Sequence, residues 1–406
     1  MLFSLPEGMK LGVSLSAAQA EGGRTGSAWE AFASGRVLDG SAPQTAGAHY
    51  EKLREDMAWL RRLNAQCYRM SVSWARVVPR ENDVDEDALA HYRTEFSLAR
   101  DYGAEPIVTL HHFDEPEWFV RKGGFLHPDA QRDFLFFVSR VARALQGICR
   151  YFITFNEPNV YAFEGYLLGR WPPKKRSLTA PFKALQSLSR CHRAAYDCLH
   201  AILPEAMVSA APHARAFMPR DPDSLLQRLS AQKLAAWYQL DFADRFIQGG
   251  RAADFCAFNY YARSTVGDFR ASPKAGARSD LGWEISPEGL KTVCEDFYRR
   301  YRLPLLIAEN GVCDGRDAYR ARYLYEHLRA LAETDAPITH YCHWSLIDNF
   351  EWLLGTGARF GLIHVDFDTQ TRTLKDSGRF FAAVARAGGV AQEAYDRYVK
   401  GRGYPQ

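Results

Sequence analysis

The sequence predicts an α/β fold, a single (β/α)₈ TIM barrel over residues 1–406, with its functional site at the C-terminal ends of the strands. Eight short apolar segments with the composition of buried strands recur along the chain, and amphipathic helical patterns fill the intervals. A doubly wound open sheet is the alternative, but no G-x-G-x-x-G motif follows the first segment. A length of 406 residues suits one barrel with long loops.

The strand candidates are runs of β-branched, aromatic and other apolar residues, which suit a sheet that is buried on both faces. In chain order they cover residues 11–16, 67–72, 106–111, 152–156, 207–212, 254–261, 303–310 and 339–346. The interval after the third candidate shows the helical pattern clearly, at Phe134, Phe137, Val138, Val141 and Leu145. Strand and helix therefore alternate as a parallel barrel requires.

Polar side chains collect where these strands end. The C-terminal ends of barrel strands meet at one mouth, so we expect these side chains to lie together. Loop capping explains one or two such residues but not this number. They are Gln19, Glu21, Arg69, His111, His112, Asn156, Glu157, Asn259, Tyr261, Glu309, Asn310, Trp344, Asp348, Asn349, Glu351 and Trp352.

Two of the carboxylates in this set end strands on opposite sides of the predicted barrel. Glu157 follows the fourth strand and Glu309 ends the seventh, and each has an asparagine beside it. A single glutamate at a strand end is usually a partner in a salt bridge. Two that face each other across a pocket suit glycoside hydrolysis, in which one protonates the leaving oxygen and the other supports or attacks the sugar carbon.

Tryptophans near the predicted strand ends strengthen this interpretation. Sugar rings present apolar C–H faces and hydroxyl edges, which indole faces and polar side chains match. Trp118, Trp283, Trp344 and Trp352 fall in the strand-to-helix loops or at strand ends and are candidates for such contacts. We interpret Trp29, Trp59 and Trp74 as core residues.

The composition argues against several other classes of function. The formal charge is +3, and the densest basic cluster, Lys174 to Arg176, adjoins two prolines and is interpreted as a solvated loop, so no nucleic-acid partner is expected. The eight cysteines form no C-x-x-C pair, which favours free thiols in a reducing compartment. No signal-peptide pattern and no apolar span are recognised, so we expect a cytoplasmic protein with no membrane partner.

No metal or other cofactor is predicted. His111 and His112 are adjacent in a strand, and adjacent strand residues point to opposite faces, so the two imidazoles are poorly placed to share an ion. The sequence leaves the oligomeric state open.

Several segments together resemble glycoside hydrolase family 1, the β-glucosidase family. They are "TFNEP" (154–158), "AENG" (308–311), "HWSLIDNFEW" (343–352), "RFGL" (359–362), "AAQAEG" (17–22), "YRMSVSWARVVP" (68–79), "TLHHFDEPEW" (109–118), "NYY" (259–261), "GWEISPEGL" (282–290) and "TRTLKDS" (371–377). They occur in the family's order along the whole chain. "NEP" or "ENG" alone would be a weak signal, but the set is specific.

The resemblance implies roles for individual residues. It implies that Glu157 is the general acid/base and Glu309 the nucleophile of a retaining enzyme, with the two carboxyl groups about 5 Å apart. It implies that Arg69 and Asn259 support the nucleophile, and that Tyr261 contacts it. The remaining residues would bind substrate, as hydroxyl partners, subsite walls or the platform under the leaving group: Gln19, His112, Asn156, Trp283, Trp344, Glu351, Trp352 and Phe360.

The resemblance implies a retaining β-glycosidase that acts on terminal non-reducing β-D-glycosyl residues of a small glycoside or short oligosaccharide. β-Glucosidase activity is expected, with some β-galactosidase or β-fucosidase activity. The alternatives are a transglycosylating β-glycosidase, a 6-phospho-β-glycosidase and a non-catalytic sugar-binding barrel. Glu351 would repel a 6-phosphate, which disfavours the second, and both carboxylates are present, which disfavours the last.

The chain departs from the family's pattern around the mouth. The stretch 247–255 is short, as is 312–319, which predicts a more open leaving-group side. Phe113 and Glu115 stand where a tryptophan and an apolar residue are common. These departures concern which substrates fit, not the chemistry.

Overall fold

The structure is a computed structural model that describes residues 1–248, 252–267 and 276–405; residues 249–251 of the short stretch 247–255 lie outside this range. The strands are β1 Phe3–Ser4, β2 Lys10–Ser14, β3 Cys67–Ser71, β4 Glu105–Thr109, β5 Tyr151–Asn156, β6 Met207–Ala211, β7 His213–Pro219, β8 Cys256–Val266, β9 Leu305–Asn310, β10 Ile338–Trp344, β11 Ile363–Asp366, β12 Thr371–Leu374 and β13 Gly389–Val390.

The helices lie mainly between these strands. They are α1 Ala17–Ala20, α2 Ala28–Ala33, α3 Leu53–Leu63, α4 Trp74–Val77, α5 Glu86–Asp101, α6 Glu117–Arg121, α7 Ala130–Ala144, α8 Pro158–Ala162, α9 Ala180–Ile202, α10 Leu225–Ala235, α11 Asp241–Ile247, α12 Pro287–Tyr301, α13 Arg320–Ala332, α14 Asp376–Ala387 and α15 Gln392–Tyr398. Short 3₁₀ turns cover Pro43–Thr45, Gly124–Leu126 and Trp352–Leu354, and π-helical turns cover Phe163–Leu167 and Ala236–Leu240.

The central sheet is parallel and has the strand order β6-β5-β4-β3-β2-β10-β9-β8-β7. Its two end strands are consecutive in the chain and are separated only by Pro212. Because β6 pairs with β5 and β7 pairs with β8, the sheet closes on itself as a barrel with eight strand positions, here called staves. Strands β6 and β7 together form the fifth stave. The predicted α/β barrel is confirmed, and each of the eight strand candidates corresponds to a stave.

The fifth stave differs from its prediction, which ended it at Pro212. Proline lacks the N–H that a central strand needs, so the ladder breaks there. The chain nevertheless continues as β7, which pairs with β8 from His213 opposite Asn259 to Pro219 opposite Val266. This stave therefore extends past the end of the barrel.

The core has two apolar layers. Inside the barrel, strand side chains such as Cys67, Ile107, Ile153 and Ala257 pack against one another with no exposed surface. Outside it, helices cover the strands with their apolar faces, and the predicted stripe on α7 is buried, from Phe134 to Val141. This packing fixes the strand ends, and with them the side chains at the mouth.

The described residues contain neither a helix able to span a membrane nor a cluster of metal ligands. None of their helices combines the length and apolar character needed to cross a bilayer. No group of three or more His, Cys, Asp or Glu side chains in that part of the chain could hold a metal ion.

Candidate active site

A cavity of about 550 Å³ lies at the C-terminal ends of the strands. It contains both predicted carboxylates and every predicted substrate-binding residue. The lining residues are Gln19, His112, Phe113, Asn156, Glu157, Val160, Glu164, Arg170, Trp171, His213, Arg215, Tyr261, Trp283, Glu309, Trp344, Glu351, Trp352, Leu353, Leu354 and Phe360.

Glu309 lies near the end of β9 and is held by two donors. The buried guanidinium of Arg69 donates to its Oε1, and the hydroxyl of Tyr261 donates to its Oε2 at 2.7 Å. Arg69 is itself fixed, because its Nε donates to Thr109 Oγ1 at 3.0 Å. The carboxylate therefore has a paired charge and a defined orientation.

Glu157 lies in a different environment, at the turn between β5 and α8. Its backbone has φ 41°, a left-handed conformation unusual for a residue other than glycine, and Pro158 begins the helix. Its Oε1 accepts a hydrogen bond from Asn259 Nδ2 at 2.9 Å. Burial, and then the charge of Glu309, raise the pKa of Glu157 to about 8. At neutral pH this group carries a proton.

Asn156 links the surroundings of the two acids. Its Oδ1 accepts hydrogen bonds from Arg69 Nη2 at 2.7 Å and from Asn259 Nδ2 at 2.9 Å. Its Nδ2 lies 3.1 Å from His112 Nε2. Burial, followed by the charge of Arg69, lowers the pKa of His112, so its imidazole is neutral. Its Nε2 lies 3.9 Å from Glu309 Oε1.

The contacts of Asn259 differ from the predicted ones. The residue was expected to support Glu309, but its amide nitrogen donates to Glu157 and to Asn156. Although Asn259 is the register partner of Glu309, a bulge breaks the pairing of β8 with β9 just before it. The amide is directed toward the β5 end instead.

One end of the cavity holds Gln19, Glu351 and a group of rings. Gln19 Nε2 donates to Glu351 Oε2 at 3.2 Å, and Ser16 Oγ donates to Gln19 Oε1 at 2.8 Å. Burial, and then the charge of Glu309, raise the pKa of Glu351 to about 8. The His112 ring stacks against Trp344, with centroids 5.8 Å apart. This end combines apolar faces with fixed polar groups, as a sugar ring requires.

The cavity is also lined by residues outside the predicted set. They include Glu164, Arg170, Trp171, His213 and Arg215. His213 and Arg215 come from β7, the unpredicted continuation of the fifth stave. The sequence signal for them is a pair of polar side chains at positions i and i+2, directly after the predicted fifth strand. The Trp171 ring lies 5.6 Å from that of Trp352.

Two other predictions concern residues at the margin of the cavity. Trp118 does not line it: its Nε1 donates to the carbonyl of Val78 at 2.9 Å, and its ring packs against Trp74. His111 also points away and pairs with Glu115, Nε2 to Oε1 at 2.9 Å. The atypical Glu115 therefore has a buried partner, while His112 alone faces the cavity.

Comparison with known proteins identifies the family. The sequence profile of Glycosyl hydrolase family 1 matches residues 3–271 and 250–390. A β-glucosidase of Agrobacterium sp. is 28% identical, covering 94% of this chain and 95% of that protein. A β-galactosidase of Sulfolobus acidocaldarius is 27% identical, covering 97% of each.

Solved structures agree with the profile. The β-glycosidase from Pyrococcus horikoshii superimposes with a TM-score of 0.89 at 30% identity, covering 98% of both chains. The β-glucosidase from Thermotoga maritima in complex with glucoimidazole gives a TM-score of 0.87 at 26% identity, covering 95% of this chain and 100% of the other. The protein therefore belongs to glycosyl hydrolase family 1.

Proposed function

We propose that the protein is a retaining β-glycosidase that hydrolyses terminal non-reducing β-D-glycosyl residues through a covalent glycosyl-enzyme. The principal activity is that of a β-glucosidase, with β-galactosidase or β-fucosidase activity beside it. One observation carries the proposal: two carboxyl groups share a cavity, and one is paired with a cation while the other is buried and protonated.

In the first step, Glu309 is the nucleophile. One of its oxygens forms a bond to the anomeric carbon while the bond from that carbon to the glycosidic oxygen breaks. Glu157 gives its proton to the departing oxygen, which leaves as a neutral alcohol. Arg69 and Tyr261 hold the attacking carboxylate in position.

In the second step, Glu157 reverses its role. The ester that Glu309 forms with the sugar has no charge, so the charge of Glu309 no longer raises the pKa of Glu157. The pKa falls, and the carboxylate of Glu157 takes a proton from water as the water oxygen attacks the anomeric carbon. The bond to Glu309 breaks, and the product retains the β configuration.

The end of the cavity with Gln19 and Glu351 is the proposed site for the non-reducing sugar. Gln19, His112, Asn156, Glu351 and Trp352 would bind its hydroxyl groups. No lysine or arginine in the described part of the chain forms a hydrogen bond or ion pair with Gln19 or Glu351, and the cavity arginine Arg170 is already paired with Glu164. This supports unphosphorylated glycosides over 6-phosphoglycosides, even with Glu351 protonated.

The names of relatives support the choice of sugar. The similar proteins are called β-glucosidases and a β-galactosidase, and one similar structure is titled as a complex with glucoimidazole. Transglycosylation remains the second candidate, because an alcohol in place of water would complete the same second step. Adding methanol to the assay and measuring methyl glycoside formation separates the two outcomes.

The test uses 2,4-dinitrophenyl β-glucoside, whose leaving group needs no proton, with Glu309→Gly and Glu157→Ala. We expect Glu309→Gly to lose hydrolysis and to recover turnover with azide, which fills the vacated space and gives an α-glucosyl azide. Glu157→Ala should still form the glycosyl-enzyme, so azide should give a β-glucosyl azide. The opposite configuration of the two products would support the assigned roles.

Two results would contradict the proposal. Undiminished turnover by Glu309→Gly would exclude that residue as the nucleophile. The same anomer from both variants would exclude the division of roles between Glu157 and Glu309.

A further inference from the structure

Arg215 lines the cavity but takes no part in either step of the proposed reaction. It lies on β7, where alternate residues face opposite sides. Ala214 and Ala216 are buried in the core, while His213 and Arg215 face the cavity. The strand therefore places a guanidinium group at the wall next to the turn that carries Glu157.

The charge of Arg215 is unpaired. No side chain in the described part of the sequence forms an ion pair or hydrogen bond with its guanidinium, and its Nε is buried without a partner. The other arginine that lines the cavity, Arg170, is paired with Glu164, with 2.7 Å from Nε to Oε2. Arg69, behind the cavity, is paired with Glu309.

An unpaired guanidinium with a buried donor is costly, because the Nε–H of Arg215 has lost water without gaining a protein acceptor. The neighbouring groups supply no negative charge to balance it. His213 is neutral, since burial and the charge of Arg215 lower its pKa to about 3. The pair formed by Glu164 and Arg170 has no net charge. This wall therefore carries one uncompensated positive charge.

The position of this charge relates it to the leaving group. The proton donor Glu157 acts on the glycosidic oxygen, so the leaving group lies on its side of the cavity. A row of rings borders that side: Trp283 lies 5.6 Å from Tyr261, and Tyr261 stacks on His213 at 6.4 Å. The row ends at the strand that carries Arg215, so an aromatic leaving group lying along it would extend toward the guanidinium.

We propose that Arg215 binds a carboxylate on the leaving group, and that the enzyme prefers aryl β-glycosides whose aglycone carries this anion. The inference rests on the proposed function, since it names the substrate class of the same site. The planar guanidinium fork matches a carboxylate in two parallel hydrogen bonds, and the ligand would supply the acceptors that the protein lacks.

The test compares 4-carboxyphenyl and 4-carbamoylphenyl β-glucoside, which have nearly the same shape and differ by one charge. The ratio of their kcat/KM values is measured for the wild type, Arg215→Gln and Arg215→Lys. We expect Arg215→Gln to lower the carboxylate-to-amide ratio about tenfold, mainly through KM, because a charge-assisted pair is lost. Arg215→Lys should lower it about threefold, because the charge remains and the fork is lost.

The matched control is the double variant Glu164→Gln/Arg170→Gln, which removes the other cavity arginine together with its counterion. Its ratio should stay within about twofold of the wild type, since no net charge is removed. High salt should lower the ratio of the wild type and leave that of Arg215→Gln nearly constant.

The outcomes separate this inference from the proposed function. If the wild type hydrolyses the amide substrate and Arg215→Gln leaves the ratio within twofold, the role of Arg215 is wrong and the glycosidase proposal stands. If the control variant lowers the ratio as much as Arg215→Gln, the selectivity does not come from Arg215. If the wild type hydrolyses neither glucoside, the proposed function fails and the inference fails with it.

Discussion

The arginine at the floor of the cavity, where the barrel strands end, is hydrogen-bonded through every nitrogen of its guanidinium, whereas an arginine at the rim of the cavity is unpaired. On the floor, Arg69 is fully buried, and its nitrogens donate to Glu309, Asn156, Thr109 and the Ala308 carbonyl. At the rim, Arg215 has no side-chain acceptor among the described residues. An arginine whose nitrogens are all hydrogen-bonded holds the catalytic groups in place. An arginine with free donors remains available to a ligand.

This difference indicates that the floor residues carry out the reaction, whereas the rim residues determine which glycoside binds. The floor residues come from strand ends whose positions are fixed by the barrel ladder. The rim residues come from β7, from the segment that follows α8 and from the loop before α12. Changes at the floor should therefore abolish the reaction, and changes at the rim should alter which glycoside reacts.

The largest effect is expected from Arg69→Gln. The substitution leaves Glu309 without its buried counter-charge and removes one of the two donors to Asn156 Oδ1. Breaking a buried ion pair costs about 3–5 kcal/mol. We expect kcat/KM for 4-nitrophenyl β-glucoside to fall on the order of 10³-fold. Steady-state kinetics together with thermal unfolding measure both consequences.

Tyr261→Phe is the matched control, since it removes one donor to Glu309 and leaves the ion pair intact. Its loss should be smaller, about 10- to 100-fold. Equal losses in the two variants would mean that charge pairing is not what distinguishes the floor from the rim.

The second prediction concerns pH. Glu157 must carry its proton in the free enzyme, and its pKa is raised to about 8. We therefore expect kcat/KM to fall tenfold for each pH unit above about 8. Glu351 also titrates near pH 8, so the pH profile of Glu351→Gln is needed to separate the two groups.

In Glu351→Gln the alkaline fall should persist and move to lower pH, because the negative charge of Glu351 contributes to the raised pKa of Glu157. An alkaline fall that vanishes in this variant would assign the titration to Glu351 and contradict the role given to Glu157.

The smallest effect is expected at the rim, from Trp283→Ala. The ring is half-buried and lines the cavity beside Tyr261. Losing it should raise KM for aryl β-glucosides about fivefold through lost stacking. The effect on β-glucosyl fluoride should be smaller, because fluoride does not reach the ring. An equal change for both substrates would place Trp283 against the sugar rather than the leaving group.

Much of the fold and of the floor could be predicted because they depend on local signals. Apolar runs and helical stripes identify the staves, and polar residues directly after a run, such as Glu157 and Glu309, must lie at the mouth. The partner of Asn259 could not be predicted in this way, since a bulge between β8 and β9 decides which carboxyl group its amide meets. Bulges leave no clear trace in composition.

The rim was largely missed because it depends on long-range geometry. A proline normally ends a central strand, so the pattern gave no reason to continue the fifth stave to Arg215. Trp171 lies next to Pro172 and Pro173, outside any periodic segment, and it reaches the cavity through contacts with Phe113 and Trp352. Only the folded chain brings these rings together.

The extension of the fifth stave past Pro212 adds side chains to the edge of the cavity mouth. Residues two apart in a strand lie about 7 Å from each other, so His213 and Arg215 line the cavity at two successive positions along β7. Replacing the side chain at one of these positions changes one contact with the leaving group and leaves the backbone pairing of the strand intact. Leaving groups of different length could thus be accommodated by single substitutions along β7, with no change in the length of a loop.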